Sequence, residues 1–411
     1  MELNNRNVFI LGAGFSVPAK LPIQNRIINE IVKSEPKDSF LEYEPAPESI
    51  KFMTSFIRVG LYLLKNYTND SYDEYEKTFT EIERNIQDSE ILQSTYDDCY
   101  KEVQILREKI RSTLEAANLQ ISLEDIFTSF DKSYISKEYL NQYSYYQANE
   151  IKDSIMSLFV YYFSKCINEH PFNMPEYLSF CNHIKSLKKV SIISTNWDVL
   201  VEEYFERKKI PYNLCLNESY FKYSPHWKSE SKKSSKNTVN LIKLHGSINW
   251  FKCLHCGTLN IVNHKDCGGF LFDDSPEQCI QCQEKRKLGL LLQPEFITPT
   301  MIKSINSQLY NNLWSAAKKD LRKAKKIVFI GYSLPIADFE IRYLLQQSIP
   351  PGIPIDVVLH SDDSPTSVNS SHLKSLLPEK RFRDLFVKNE LNFFYNGFDS
   401  YFKHIDNSLG F

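Results

Sequence analysis

Two cysteine pairs are the clearest chemical signal in the chain. Cys253 and Cys256 form one CxxC knuckle, and after a 22-residue spacer Cys279 and Cys282 form a second. Paired knuckles suit a tetrahedral zinc ion held by four thiolates, and a site without an open position is structural. Cys267, His255 and His264 lie between or beside the knuckles as alternative ligands, and a redox pair is the competing chemistry. Three further clusters combine small, polar and titratable residues. Gly12-Ala13-Gly14-Phe15-Ser16 has two glycines spaced to let a backbone approach a pyrophosphate at a helix N-terminus. It lacks the third glycine of the dinucleotide fingerprint, so a tight strand-to-helix turn competes. Ser194-Thr195-Asn196-Trp197-Asp198 offers an amide to a sugar hydroxyl or a water and a carboxylate to an amide or cation. In isolation it would serve as a helix N-cap. His245-Gly246-Ser247 places a histidine where it can act as general base, although a lone histidine is also common as a structural residue.

The elements that must position these clusters follow from hydrophobic patterning. Six short β-branched or apolar runs read as strands: Val8–Leu11, Val190–Ser194, Val239–Leu244, Ile327–Ile330, Ile355–Leu359 and Leu391–Tyr395. Their alternation with helical patterns predicts a doubly wound α/β fold with a parallel, Rossmann-like sheet. Four runs end in a polar cluster, the fourth being Gly331-Tyr332-Ser333. Ligands of open parallel sheets bind outside the carboxyl ends of the strands, so the four clusters are expected to share one site. Between Gly60 and Pro171 there are roughly 110 residues with neither glycine nor proline, which predicts helix. Stripes such as Phe52, Phe56, Val59, Tyr62 and Leu63, or Leu123, Ile126, Phe127 and Phe130, read as the core of a helical block. The expected organisation is a sheet domain over 1–38, 186–252 and 289–411, a helical insertion over 39–185 and a zinc module over 253–288.

Composition sets the outer bounds. The chain has 411 residues, 42% hydrophobic and 24% charged, with 49 Lys+Arg against 51 Asp+Glu and a net charge of -2. That composition excludes a mainly disordered or collagen-like chain and a general polyanion binder. The basic stretches Lys228–Asn237 and Lys318–Lys326 lack interleaved aromatics, so no direct nucleic-acid binding is expected. No apolar run reaches the ~20 residues of a membrane span, and the opening MELNNRNVFILGAG lacks a basic n-region. Nine cysteines, clustered and odd in number, fit a reducing compartment, and a cytoplasmic location is expected.

Together the clusters resemble the sirtuin superfamily. GAGFS is similar to its dinucleotide loop, STNWD to its T-x-N-x-D motif, HGS to its catalytic histidine, GYSLP (Gly331–Pro335) to its G-x-S segment, and the CxxC pairs to its zinc module. The order along the chain also matches. The resemblance covers the sheet domain and the zinc module and leaves out the helical block. Two stretches depart from the protein deacylases of that family. Lys20–Arg26 has no Asp-Phe-Arg, and Leu292–Pro299 has no F-G-E where deacylases carry a peptide-binding strand. The TNWD and GYSLPIADFEIR forms, with the large insertion, look more like bacterial sirtuin-like NAD hydrolases of antiphage defence, in a form similar to the partner of a HerA-like ATPase.

That resemblance implies a sirtuin-type fold and an NAD glycohydrolase, with NAD as substrate and zinc as a structural ion. It places Asn196 at the ribose and attacking water, His245 as general base and Asp198 at the nicotinamide amide. Gly12, Ala13, Gly14, Phe15, Ser16 and Thr195 would surround the dinucleotide, with Gly331 and Ser333 on the adenosine side and Gln24, Asn25 and Arg26 in a covering loop. Asp338 and Arg342 are further candidates, or an ordinary helix ion pair. The other readings are an NAD-dependent protein deacylase or ADP-ribosyltransferase, and a non-catalytic NAD sensor or scaffold. A homo-oligomer is expected because the helical block, rich in Tyr and Phe, adds surface without adding site motifs.

Overall fold

The apolar runs are continuous because both faces of the strands they form are covered. In the computed structural model Val8–Leu11 is at most 1% exposed, and Ile192, Ile193, Leu241, Ile242, Ile355 and Val357 are equally buried. A parallel strand sandwiched between helices has no polar face to alternate. The structure describes residues 5–22, 26–33, 47–67, 72–86, 93–116, 122–217, 220–223, 238–263, 267, 279–284, 292–302, 308–336, 338–360 and 378–408.

Among these residues the chain begins with β1 (Arg6–Leu11), two single-turn 3-10 helices (Ala13–Phe15 and Val17–Ala19) and α1 (Ile27–Lys33). The long helices are α2 (Pro47–Tyr67), α3 (Tyr72–Ile86), α4 (Gln93–Ala116), α5 (Leu123–Ser136) and α6 (Tyr145–Glu169). There follow α7 (Pro175–Ser186), β2 (Val190–Ser194), α8 (Leu200–Lys208), β3 (Tyr212–Asn213), β4 (Phe221–Tyr223), β5 (Val239–Lys243), β6 (Gly246–Cys253) and β7 (Leu259–Ile261). The last stretch holds α9 (Ile280–Glu284), β8 (Leu292–Phe296), α10 (Gln308–Arg322), β9 (Ala324–Ile330), α11 (Phe339–Ser348), β10 (Pro354–Val358), α12 (Pro378–Leu385), β11 (Glu390–Phe394) and α13 (Gly397–Ser408).

These elements fall into two compact units. The first comprises Met1–Ile23, Glu169–Ser247 and Lys303–Phe411. Its sheet has the order β11-β10-β9-β1-β2-β5-β3, and every pairing is parallel. All six strands read from the sequence are present; the seventh, β3, is two residues long. Strand order reverses at β1, so the chain's switch point lies between β1 and β9. The register is level: Leu11 pairs with Ser194 and Ile330, Ser194 with Lys243, and Ile330 with Val358. The carboxyl ends therefore form one edge. At the amino ends, Asp320 of α10 accepts from Ser191 and Asn240 and pairs with Arg6, which ties β1, β2 and β5 together. Phe9 of β1 packs edge-on against Phe180 of α7, and Phe180 against Phe402 of α13.

The second unit comprises Gln24–Asn168 and Ile248–Ile302. Helix α2 packs on α3 and α4, and α4 on α1. The stripes named above are core as expected, with Phe52 against Tyr161, Tyr62 against Phe130 and Phe127 against Phe159. Within this unit β6 pairs antiparallel with β7, and β8 lies on the other side of β6. The grouping differs from the sequence-based division at several boundaries: Gln24 through α1, nearly all of β6, and β8 fall with the helices and not with the sheet. The zinc-module stretch belongs with the helices, and α7, assigned to the insertion from its pattern, packs in the sheet unit against α13. No helix among the described residues is long and apolar enough to cross a membrane.

Candidate functional site

Because the strands end level, the residues just beyond them stand in a row. Gly12 N donates to Ile330 O, Thr195 N to Leu11 O, Leu244 N to Ser194 O and Gly331 N to Val358 O, which extends the ladder one step past the sheet. At the switch point two of these turns touch through backbone. A Cβ on Gly331, whose φ is +61°, would lie 2.2 Å from Phe15 N and 2.3 Å from Gly14 C. A Cβ on Gly12 would meet Tyr332 Cα at 2.6 Å. The glycines are thus required for the approach of one loop to the other, whatever else they admit.

After β1 the chain turns through the two 3-10 helices in place of a longer helix, with Lys20 left-handed at φ 60°. The Phe15 side chain faces inward, 5.2 Å from Tyr177 and stacked at 5.0 Å on Phe398, and the Tyr177 hydroxyl donates to Phe15 O at 2.9 Å. What Phe15 presents at the edge is backbone.

Ser16 is the meeting point of two clusters 180 residues apart. Asn196 Nδ2 donates to Gly12 O at 2.9 Å and to Ser16 Oγ at 3.0 Å, and Ser16 Oγ donates to Asp198 Oδ2 at 2.6 Å. Asp198 Oδ1 accepts from Leu200 N at 3.1 Å, so its carboxylate also holds the first residue of α8, whose N-cap residue is Val199 and not one of the cluster's polar side chains. Thr195 Oγ1 donates to Leu11 O. His245 Nδ1 lies 3.2 Å from Thr195 O. A carbonyl can only accept, so Nδ1 carries the proton, and the neutral ring has its lone pair on Nε2. His245 is 8% exposed and Asp198 6%.

One network here was not read from the sequence. Lys243 Nζ donates to Asp198 O, to Glu202 Oε1 at 2.9 Å and to Ser247 Oγ at 2.7 Å, while Ser247 Oγ donates to Trp197 O at 3.1 Å. Lys243 and Glu202 are buried at 1% and 3% exposure. Burial pushes the Glu202 carboxyl up, against the pull of the Lys243 ammonium. A lysine and a glutamate 41 positions apart give no spacing signal.

The remaining site candidates are placed as follows. Ser333 O accepts two bonds from Arg381 of α12, at 2.8 and 3.0 Å. Asp338 accepts from Tyr332 OH at 2.9 Å, and Arg342 follows it one helical turn on. Gln24 and Asn25 lie outside the described residues, and Arg26 is exposed just before α1. His264 and Lys228–Asn237 also lie outside them.

In the second unit the Sγ atoms of Cys253, Cys256, Cys279 and Cys282 all lie within 4.8 Å of one another. Cys253 and Cys282 are 3.8 Å apart, Cys256 and Cys279 3.4 Å. Four thiolates around zinc at ~2.3 Å stand ~3.8 Å apart, whereas a disulfide would bring two to ~2.05 Å. The donor set and its spacing fit a metal ion. Cys267 and His255 are not in the cluster; Cys267 Sγ turns to Asn263 O. The first knuckle closes with Gly257 at φ +72° and its N–H on Cys253 O. Asn260 Nδ2 faces Cys279 Sγ at 3.7 Å while Asn260 Oδ1 accepts from Ile280 N, an orienting role the sequence did not signal. Burial raises the Cys256 thiol, but bonds from Thr258, Cys279 and Cys282 outweigh it and bring it down to about 6.

The SIR2-like domain model matches residues 190–350, from β2 through α11 and on to the turn before β10. The chain thus carries a SIR2-like domain within an α/β fold. Similar solved structures include a Sir2 homologue in complex with NAD, 13% identical with a TM-score of 0.41, covering 98% of this chain and 91% of that one. A second, a Sir2 homologue variant bound to ADP-ribose, is 12% identical with a TM-score of 0.39, covering 98% and 93%. A third is a Sir2 complex with a p53 peptide and NAD, 11% identical with a TM-score of 0.38, covering 100% and 94%. No curated protein matches the chain. The stretch Leu292–Pro299, expected to lack the peptide-binding strand of deacylases, does form a strand, β8, at an edge of its sheet.

Proposed function

We propose that the protein is an NAD glycohydrolase that cleaves NAD to ADP-ribose and nicotinamide. The observation that carries this reading is the hydrogen bond from His245 Nδ1 to Thr195 O, which leaves the basic nitrogen at Nε2 beside the loop that holds Asn196. In the reaction the glycosidic C–N bond breaks and nicotinamide leaves as a neutral base. Water adds to the anomeric carbon and gives its proton to His245. Nicotinamide is a good leaving group, so positioning and electrostatics supply most of the acceleration. Asn196 holds the ribose and the water, Asp198 the nicotinamide amide, and Gly12, Ala13, Gly14, Phe15, Ser16 and Thr195 the phosphates and ribose, with Gly331 and Ser333 at the adenosine. Cys253, Cys256, Cys279 and Cys282 hold a structural zinc ion. The setting we propose is a cytoplasmic homo-oligomer of antiphage defence, acting by NAD depletion beside a HerA-like ATPase.

The test is the product spectrum of NAD with and without an acylated peptide. ADP-ribose and nicotinamide, produced without peptide, support the proposal. Turnover that depends on peptide and releases an acyl-ADP-ribose would replace it with the deacylase reading. Asn196→Ala and His245→Ala should each lower turnover by roughly 10²-fold or more while remaining folded.

A further inference from the structure

Alternate residues 243, 245 and 247 all engage the backbone carbonyls of one loop. Lys243 Nζ takes Asp198 O, His245 Nδ1 takes Thr195 O and Ser247 Oγ takes Trp197 O. The side chains of that loop turn elsewhere, Asn196 and Asp198 both to Ser16. Carbonyls are thus held from one side and the Asn196 and Asp198 side chains from the other. The ammonium has three N–H donors and meets three acceptors, Asp198 O, Glu202 Oε1 and Ser247 Oγ, so no donor is left to a ligand. Its charge is balanced by Glu202 within the same buried site.

We propose that Lys243 is a positioning residue: held by Glu202 and Ser247, it clamps the Asp198 carbonyl and so sets the orientation of Asn196 and Asp198 relative to His245. This rests on the hydrolase reading for its catalytic consequence and on the loop geometry alone for its structural one. A buried charge is a costly way to fill space when an apolar pair of equal volume packs as well or better. The structure therefore assigns the pair to holding a carbonyl that an apolar residue cannot hold.

The experiment compares wild type, Lys243→Met/Glu202→Met and Ser247→Ala by amide exchange and by NAD kinetics. Replacing both partners avoids the unpaired buried carboxylate that Lys243→Met alone would leave. The expected result is exchange about tenfold faster at Thr195, Asn196 and Leu200, with β1 and β9 unchanged. The kcat for NAD should fall roughly tenfold or more while KM stays within about twofold, because misorientation costs rate more than binding. Ser247→Ala, which keeps the ion pair, gives the same pattern to a smaller degree and decides the matter if the double variant does not fold. Unchanged exchange in the loop, or an equal rise throughout the unit, overturns the proposal. If wild type shows no NAD turnover, the hydrolase reading fails and the exchange data alone decide the role of Lys243.

Discussion

Replacing Gly331 with alanine inserts a methyl group where Phe15 N would be 2.2 Å away, Gly14 C 2.3 Å and Gly14 Cα 2.6 Å. All three are backbone atoms, so no side chain can swing aside. Ordinary contact is ~3.5 Å, so the Gly14–Phe15 segment must withdraw by about 1 Å. The left-handed φ of +61° adds ~1–2 kcal/mol for any residue with a Cβ, and the forced displacement ~1–3 kcal/mol. The sum, about 2–5 kcal/mol, lowers the melting temperature of a unit this size by roughly 4–20 °C. The shifted segment also carries Ser16, the partner of both Asn196 and Asp198. Misplacement of about 1 Å at such a point costs NAD turnover on the order of 10²-fold at temperatures where the variant is folded. Gly352→Ala is the control. Its φ is +80° but nothing lies within 4 Å of a Cβ there, so it isolates the backbone cost. The assay is a thermal melt by circular dichroism with NAD turnover well below the transition. A Gly331→Ala protein that melts together with Gly352→Ala and turns NAD over at the wild-type rate would refute the reasoning.

Elemental analysis should find one zinc per chain, and Cys253→Ser or Cys279→Ser should lower melting temperature and solubility before it alters chemistry; metal-free protein with an unchanged melt would count against a structural ion. Burial, with a smaller push from Arg207, lowers the His170 pKa from 6.5. The unfolded chain then binds a proton that the folded state resists. Stability is full above about pH 6.5 and is lost as pH falls below it, a slope that denaturant melts should show and His170→Phe should flatten. Of the aromatics of the helical block, Phe159, Tyr161, Tyr162 and Phe163 are buried in the second unit, while Tyr139 and Tyr146 are 72% and 66% exposed. Light scattering should show a homo-oligomer that Tyr139→Ser/Tyr146→Ser weakens, with specific activity that changes on dilution or on adding the ATPase; a strict monomer of constant activity would defeat this.

The sheet was legible because parallel strands buried on both faces read as unbroken apolar runs, as in Val8-Phe9-Ile10-Leu11. The short β3, the antiparallel pair β6 and β7, and β8 carry no such run and were missed. The knuckle cysteines were legible from spacing, since each pair is a local turn. The contacts that organise the strand-end site were not. Ser16 meets Asp198 across 182 positions, and Lys243 meets Glu202 across 41, distances at which no periodicity operates. The glycines of GAGFS stand out in the sequence, but a sequence cannot tell a backbone approached by a ligand from one approached by Gly331. Helix α7 looked like a continuation of the helical block because pattern records which face is apolar and not what covers it.

The first strand of the chain lies in the middle of the sheet, and its neighbours β2 and β9 begin 184 and 318 positions after it. The ring of Phe15 is covered by Phe398, later still. At a synthesis rate of ~5–20 residues per second, β1 leaves the ribosome about 20–80 s before α13 exists. Until β2 is made the apolar run Val8–Leu11 has neither strand partner, and until β9 is made it has only one, a task for chaperones and a window for aggregation. Over the same interval the loop that carries Phe15 and Ser16 lacks the cover of Phe398. Phe402, which packs on Phe180, is made later than Phe398, so the layer behind the first loop is completed only by α13.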